Sequence, residues 1–309
     1  MQSFNHGFLI LDKPTGMSSA KAVSEVKKIL GCAKIGHGGT LDPLASGILP
    51  LAIGEATKAF EYVASSRKEY RFTITLGEQR ATDDAEGEVT ATTDHIPARE
   101  EILAVLPQFT GTIMQVPPIY SALKIDGERA YKKARAGEQV EMVARPVEVQ
   151  ELELLELKGR EATLRVRCGK GTYVRSLARD IASKCNSLGY VSMLRRASVG
   201  KFHEEAAISL DKLPGLVHNA ELFKAWLPIE LALDDIPAID ADSVLAAKLR
   251  HGQTAVMLKA DGRYMVLHQG KILALADCRG GVLRTVRVFN LNEEGDSDVA
   301  RTRKEAKSN

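Results

Sequence analysis

The hydrophobic and polar positions change period several times along the chain. Phe8 to Leu11 is an unbroken apolar run that leads into Pro14 and Gly16, which predicts a short buried strand and a turn. Ser18 or Ser19 can cap the helix that follows. Its apolar positions Ala22, Val23, Val26, Ile29 and Leu30 fall at helical spacing, and Gly31 stops it. Tyr70, Phe72, Ile74 and Leu76 alternate with Arg71, Thr73 and Thr75, as in a half-buried strand, and the acidic stretch TDDAEGEVT after them reads as a turn. PAREEILAVLPQF predicts a helix with Pro97 in its first turn and Glu100 and Glu101 near its positive end. Leu164, Val166 and Cys168 alternate with Thr163, Arg165 and Arg167. A glycine turn separates that strand from a helix carrying Val174, Leu177, Ile181 and Cys185 on one stripe.

These elements intersperse without a strict strand-helix-strand rhythm, so an α+β fold with a mixed sheet is expected rather than a doubly wound one. A boundary is expected near ALDDIPAID, Ala232 to Asp240. Beyond it, TAVMLK, RYMVLHQGKILALAD and LRTVRVF are short strand-like runs separated by glycines, which suits a small β-barrel. Leu291 to Asn309 has mixed charge and few large apolar residues and reads as a disordered tail. The expected organisation is a domain over 1–235, a second over 236–292 and a tail over 293–309.

Length and composition narrow this little further. A chain of 309 residues suits two domains, and 44% hydrophobic with 27% charged residues is ordinary for a globular chain. A net charge of +2 means that any surface for nucleic acid must be locally basic. Cys32, Cys168, Cys185 and Cys278 are far apart and form no CxxC pair, which argues against zinc and for reduced thiols in a cytosolic protein. No apolar run has the length of a membrane span, and the N-terminus lacks the pattern of a signal peptide. A cytoplasmic location with no membrane partner is expected.

The candidate chemistry gathers in GHGGTLDPLASGILPLAIGEATK, Gly36 to Lys58. From Val26 to Gly54 the only acidic residue is Asp42. No Gly-Lys-Ser/Thr follows the glycines, and Leu41 stands where a dinucleotide motif needs its third glycine, so a phosphate-cradling loop is not supported. An aspartyl-phosphate reading lacks a second aspartate, because Leu44 stands two residues on. Asp before Pro is by itself a common turn-former. A carboxylate among Gly, Leu and Ala needs a cation to stay charged, and Arg175 in GKGTYVRSL is one candidate. Periodicity alone makes Arg175 a solvated helix residue and Tyr70 a core-facing strand residue. KIDGERAYKKAR, Lys124 to Arg135, has five basic residues against two acidic ones, which ordinarily marks a solvated helix face.

The Gly36–Lys58 segment resembles the active-site signature of the TruB-type tRNA pseudouridine-55 synthases. LDKPTGMSS resembles that family's N-terminal motif, KEYRF its base-stacking strand, and GTYVRSLARD its later active-site motif. QVPPIYSALKIDGERAYKKARAGE resembles its RNA-gripping insertion, here about 115–142. The order is the family's, and the resemblance spans roughly residues 8 to 205; Gly38 departs from it, where threonine is common. The resemblance implies a pseudouridine synthase fold, with a mostly antiparallel mixed sheet flanked by helices. It implies isomerisation of uridine to pseudouridine at position 55 in the tRNA T-loop, by base flipping and an aspartate-dependent cleavage and re-formation of the glycosidic bond. The product is an isomer, so no cofactor or metal is called for. By resemblance, Asp42 carries the chemistry, Arg175 pairs with it, Tyr70 stacks on the uracil and Tyr173 lies close by. His37 fills the gap left by the extruded base, and Lys13, Pro14 and Gly39 support the pocket. Lys58, Lys124, Arg129, Lys132 and Lys133 are candidates for phosphate contacts. LRHGQ, GKILALAD and VRVF resemble a PUA-type RNA-binding domain, which implies contact with the acceptor end; a monomer is expected. The rival class is a non-catalytic RNA-binding protein or tRNA folding chaperone on the same scaffold.

Overall fold

The apolar run near the N-terminus forms the strand Gly7–Lys13, and its unbroken character follows from burial on both faces. Leu9 and Leu11 point into one core with Phe72, Leu164 and Leu177, while Phe8 and Ile10 point into another with Ile48 and Phe202. The computed structural model describes residues 6–32, 34–121, 123–125, 128–129 and 141–291. Within them the large sheet has eleven strands. Its main path runs Ala207–Ser209, Gly7–Lys13, Ser46–Ile53, Gly189–Val199, Lys68–Leu76, Glu161–Cys168, Arg145–Lys158, Gly111–Gln115. The pairings of Gly7–Lys13 with Ala207–Ser209 and of Ser46–Ile53 with Gly189–Val199 are parallel, and the rest of the path is antiparallel. The expected mixed, mostly antiparallel sheet is present.

Two helices cover the core face. Ser19–Leu30 is capped by the Ser18 hydroxyl, which accepts from the Lys21 N–H at 3.2 Å, and Gly31 ends it at φ 60. It buries Ala22 and Val26. Val174–Lys184 buries the expected stripe of Val174, Leu177 and Ile181. Each large aliphatic or aromatic side chain buried here contributes roughly 1.5–3 kcal/mol.

The Pro97 helix is shorter than the pattern suggests. It runs Arg99–Val105, with Ala98 as its cap, so Pro97 precedes it. The Glu101 carboxylate accepts from the Ala98 N–H at 2.7 Å and closes the first turn. Pro107 has no N–H to continue the α pattern, and Leu106–Phe109 tightens to a 3-10 turn.

A second sheet of five strands follows, in the order Ala238–Asp240, Gly262–His268, Lys271–Arg279, Val282–Val288, Ala255–Val256. Helix Ser243–Arg250 packs Ala246 and Leu249 against Val266, Leu273 and Leu283. Among the described residues the strand path is open, a half-barrel rather than a closed barrel. Its other face joins the Phe8 core through Met265, Ile272, Leu275 and Phe289. The tail lies outside the described residues apart from Leu291.

Candidate active site

Asp42 lies in the loop between the strands Ile35–His37 and Ser46–Ile53, and that loop is held from behind by the N-terminal motif. The Ser19 hydroxyl accepts from the Leu41 N–H at 2.8 Å and donates to the Leu41 carbonyl at 2.9 Å. The Gly16 N–H donates to the Pro43 carbonyl at 2.8 Å. The Lys13 side chain is fully buried, and its ammonium donates to the carbonyls of Pro14 at 2.8 Å and Met17 at 2.6 Å. Burial lowers the Lys13 pKa to about 8, although Asp42 nearby pulls it upward. Lys13 and the Pro14 carbonyl thus sit together behind the loop. Gly39 has φ 105, a left-handed conformation that an L side chain rarely adopts, and its carbonyl accepts from Arg196 at 3.1 Å. At Gly38, a Cβ would come within 2.4 Å of Val63 Cγ1, so the departure from threonine goes with a close approach of the 60–65 helix.

Arg175 is not a solvated helix residue. It sits one residue into Val174–Lys184 and is 5% exposed. Its Nη2 lies 3.0 Å from Asp42 Oδ2 and donates to the Tyr120 carbonyl at 2.9 Å. Its Nη1 lies 3.2 Å from Asp84 Oδ2 and donates to the Thr82 carbonyl at 3.0 Å. Asp84 is 2% exposed, whereas the Asp42 side chain is 37% exposed. The guanidinium is therefore fixed by a buried carboxylate and carbonyls on one side, and presents Asp42 to solvent on the other. Ion pairs of this kind hold a carboxylate in a fixed direction.

A cleft of about 470 Å³ opens at Asp42, lined also by Lys68, Tyr70, Tyr173, Arg175, Leu194 and Arg196. Tyr70 is 9% exposed, and burial pushes its phenol pKa up, so the hydroxyl is neutral at physiological pH. Tyr173 caps the Arg175 helix in an extended conformation. The buried Gln115 amide clamps it, accepting from the Tyr173 N–H at 2.8 Å and donating to its carbonyl at 3.1 Å. Asp42, Tyr70, Tyr173 and Arg175 are thus brought together from three separate stretches of chain, Tyr173 and Arg175 sharing one.

Other expected residues lie elsewhere. His37 is half-buried in the strand Ile35–His37 and does not line the cleft. Burial and the charge of Arg196 lower its pKa, so the ring is neutral at physiological pH. The Lys58 ammonium pairs with Glu55 and donates to the Val288 carbonyl at 2.7 Å. It ties the second sheet to the first. Lys124 and Arg129 pair through their backbones in a short antiparallel ladder. Lys132 and Lys133 lie outside the described residues.

The sequence reading missed Asp84, Arg196, Lys68, Gln115 and Ser19. A signal for Asp84 was present: Arg175 and Arg179 are spaced i, i+4 on one helix face, and TDDAEGEVT offers them adjacent acids. Arg179 takes Asp83 at 2.8 Å just as Arg175 takes Asp84. Arg196 had a fainter one, since two successive arginines in a strand must point to opposite faces.

Residues 27–174 match the family described as TruB family pseudouridylate synthase (N terminal domain). The chain is 48% identical over 297 residues to the tRNA pseudouridine synthase B of Bradyrhizobium diazoefficiens, covering 93% of this chain and 86% of the relative. It is 49% identical over 298 residues to the protein of the same name from Rhodopseudomonas palustris, covering 93% and 81%. Among solved structures, a chain from an H/ACA RNP bound to a substrate RNA containing 2′-deoxyuridine matches with a TM-score of 0.71 at 26% identity. That match covers 92% of this chain and 84% of the other.

Proposed function

This chain belongs to the TruB family of pseudouridylate synthases, and from that premise we propose that it isomerises uridine to pseudouridine in tRNA, at position 55 of the T-loop. The observation that carries the reading is the Asp42–Arg175 pair at 3.0 Å, with Arg175 buried and Asp42 open to the cleft. The reaction breaks the bond from N1 to the ribose C1′, turns the uracil and joins C5 to C1′. It needs an ionised carboxylate at the sugar, as nucleophile, charge stabiliser or base toward a ribose proton. Arg175, 3.0 Å away, aims the Asp42 carboxylate into the cleft. The cleft has the volume of a site for one nucleotide-sized group.

A uridine inside a folded loop must be turned out of its stack to reach Asp42. The Tyr70 ring then stacks on the uracil, and Tyr173 lies beside it. The neutral His37 ring is suited to fill the space the base leaves. The insertion at 115–142 grips RNA through its basic residues, Lys124, Arg129, Lys132 and Lys133. The second sheet, 236–292, acts as a PUA-like module that meets the acceptor end. The protein works as a cytoplasmic monomer without an added cofactor, since substrate and product are isomers.

Incubation of an unmodified tRNA transcript with the protein alone, followed by pseudouridine mapping, tests this. One new pseudouridine at position 55 is expected. No conversion would leave an RNA-binding or chaperone role on the same scaffold.

A further inference from the structure

Four cationic side chains border the cleft, Lys68, Lys170, Arg175 and Arg196; Lys170 is exposed, and the other three are not neutralised alike. Arg175 meets two carboxylates. Arg196, 1% exposed, donates from Nε to the Ile48 carbonyl at 2.8 Å and from Nη2 to the Gly39 carbonyl at 3.1 Å. Lys68 donates to the carbonyls of Ala64 at 2.9 Å and Ser66 at 2.7 Å. Among the described residues, then, Arg196 and Lys68 hydrogen-bond to carbonyl oxygens and form no ion pair. They also converge: a Cβ placed on Gly39 would lie 3.5 Å from Arg196 Nη1 and 3.9 Å from Lys68 Cε. Strand geometry sets both beside Tyr70. Lys68 is two residues before it on the same strand, hence on the same face, and Arg196 is its register partner on the neighbouring strand. A base stacked on Tyr70 therefore lies alongside both cations.

We propose that Lys68 and Arg196 form an anion subsite that takes up the negative charge appearing on the uracil when its bond to C1′ breaks. The inference rests on the isomerase reading. In that step the electron pair of the N1–C1′ bond leaves with the base, so uracil departs as an anion. The electron-poor C1′ is met by the Asp42 carboxylate, or is relieved by loss of a ribose C2′ proton to it. The uracil then turns and C5 bonds to C1′, displacing the Asp42 carboxylate or, on the other route, with Asp42 returning its proton to C2′; C5 loses its proton and N1 gains one, so the atoms of substrate and product are the same. A buried arginine and a half-buried lysine in one site are costly when empty and strongly favourable once a full charge develops between them, so they act on the transition state more than on the bound RNA. Burial and the nearby Arg196 lower the Lys68 pKa to about 8, which leaves it charged at pH 7.

The alternative source of an anion is a phosphate of the same RNA, and the test separates the two. Single-turnover rates and dissociation constants are measured for parent and Lys68→Met on two T-arm hairpins, one with uridine at the target and one with 5-fluorouridine. Fluorine withdraws electrons and makes the base a better leaving group, so it needs less help from the subsite. The readout is disappearance of the target nucleoside. Lys68→Met should slow the uridine hairpin by about 10²-fold, slow the 5-fluorouridine hairpin distinctly less, and leave RNA affinity unchanged. Where Lys68→Met does not fold, Lys68→Gln replaces it, because it keeps a donor for the Ala64 and Ser66 carbonyls. Equal slowing of both hairpins overturns the proposal in favour of a positioning role. A loss confined to RNA affinity overturns it in favour of a phosphate contact. An inactive parent on the uridine hairpin fails the isomerase reading itself, and is seen before any variant is compared.

Discussion

The Asp42 cleft and the second sheet handle charge in opposite ways. At the cleft, Arg175, Asp84 and Arg196 are each at most 5% exposed and are bonded to partners far away in sequence. In the second sheet, Arg263 pairs with Asp277 across adjacent strands through two bonds, at 2.8 Å and 3.0 Å, with both side chains partly in solvent. The sheet's core is apolar: Val266, Ala274, Cys278 and Leu283 are fully buried. An exposed pair contributes about 0–1 kcal/mol, whereas breaking a buried one costs about 3–5 kcal/mol. Buried charge is thus concentrated at the cleft, and the second sheet keeps the Arg263–Asp277 pair at the surface.

The contrast can be broken at four places, in falling order of effect. Arg175→Lys keeps the charge but loses the fork that spans Asp42 and Asp84. Single-turnover isomerisation should fall by on the order of 10³-fold with RNA affinity retained, since a misplaced Asp42 is a misplaced reacting group. Asp84→Asn removes the buried charge that anchors Arg175 from behind. It should cost about 10²-fold in rate and lower thermal stability, checked by single turnover and a melting curve.

Lys68 gives a third, through pH. Its proton leaves the folded chain near pH 8, while the unfolded chain holds it to about 10.5. Between those values the unfolded chain binds more protons, so stability contributed at this site rises with pH. The parent should gain stability relative to Lys68→Met as pH rises from 8 to 10.5, read from denaturant midpoints at the two ends. Arg263→Ala is the smallest. It should change stability by no more than about 1 kcal/mol and leave the turnover of a T-arm hairpin untouched, measured by denaturation and by single turnover.

Removing the second sheet outright is a poorer probe than these substitutions. Met265, Ile272, Leu275 and Phe289 share a core with Phe8 and Ile10, so truncation would expose one face of the buried strand Gly7–Lys13.

What the sequence made legible follows the range of the interactions. Alternation at Tyr70–Leu76 and the helical stripe Val174–Ile181 are local, and both elements form as read. Asp42 stood out as the single acid in a long apolar stretch, and the family resemblance supplied its partner. Arg196 did not stand out, because its carbonyl partners Ile48 and Gly39 are 148 and 157 residues away. Asp84 was hidden for a different reason: an acidic turn is ordinarily solvated, and only the docking of the Arg175 helix buries this one. Lys58 shows the reverse case. A lysine in an active-site signature invited a phosphate, yet the second sheet brings Val288 within its reach. The open path of that sheet was equally illegible, since glycine-punctuated strands read the same whether or not their ends pair.

The most direct test compares the parent with Asp42→Asn on an unmodified tRNA transcript, at saturating enzyme in a single turnover, with RNA affinity measured alongside. Asn keeps the size of Asp and removes the charge that Arg175 holds at 3.0 Å. The predicted result is pseudouridine at position 55 with the parent, a rate lower by on the order of 10⁴-fold or more with Asp42→Asn, and equal affinity. Substantial conversion by a clean Asp42→Asn preparation would contradict the assignment of the chemistry to Asp42.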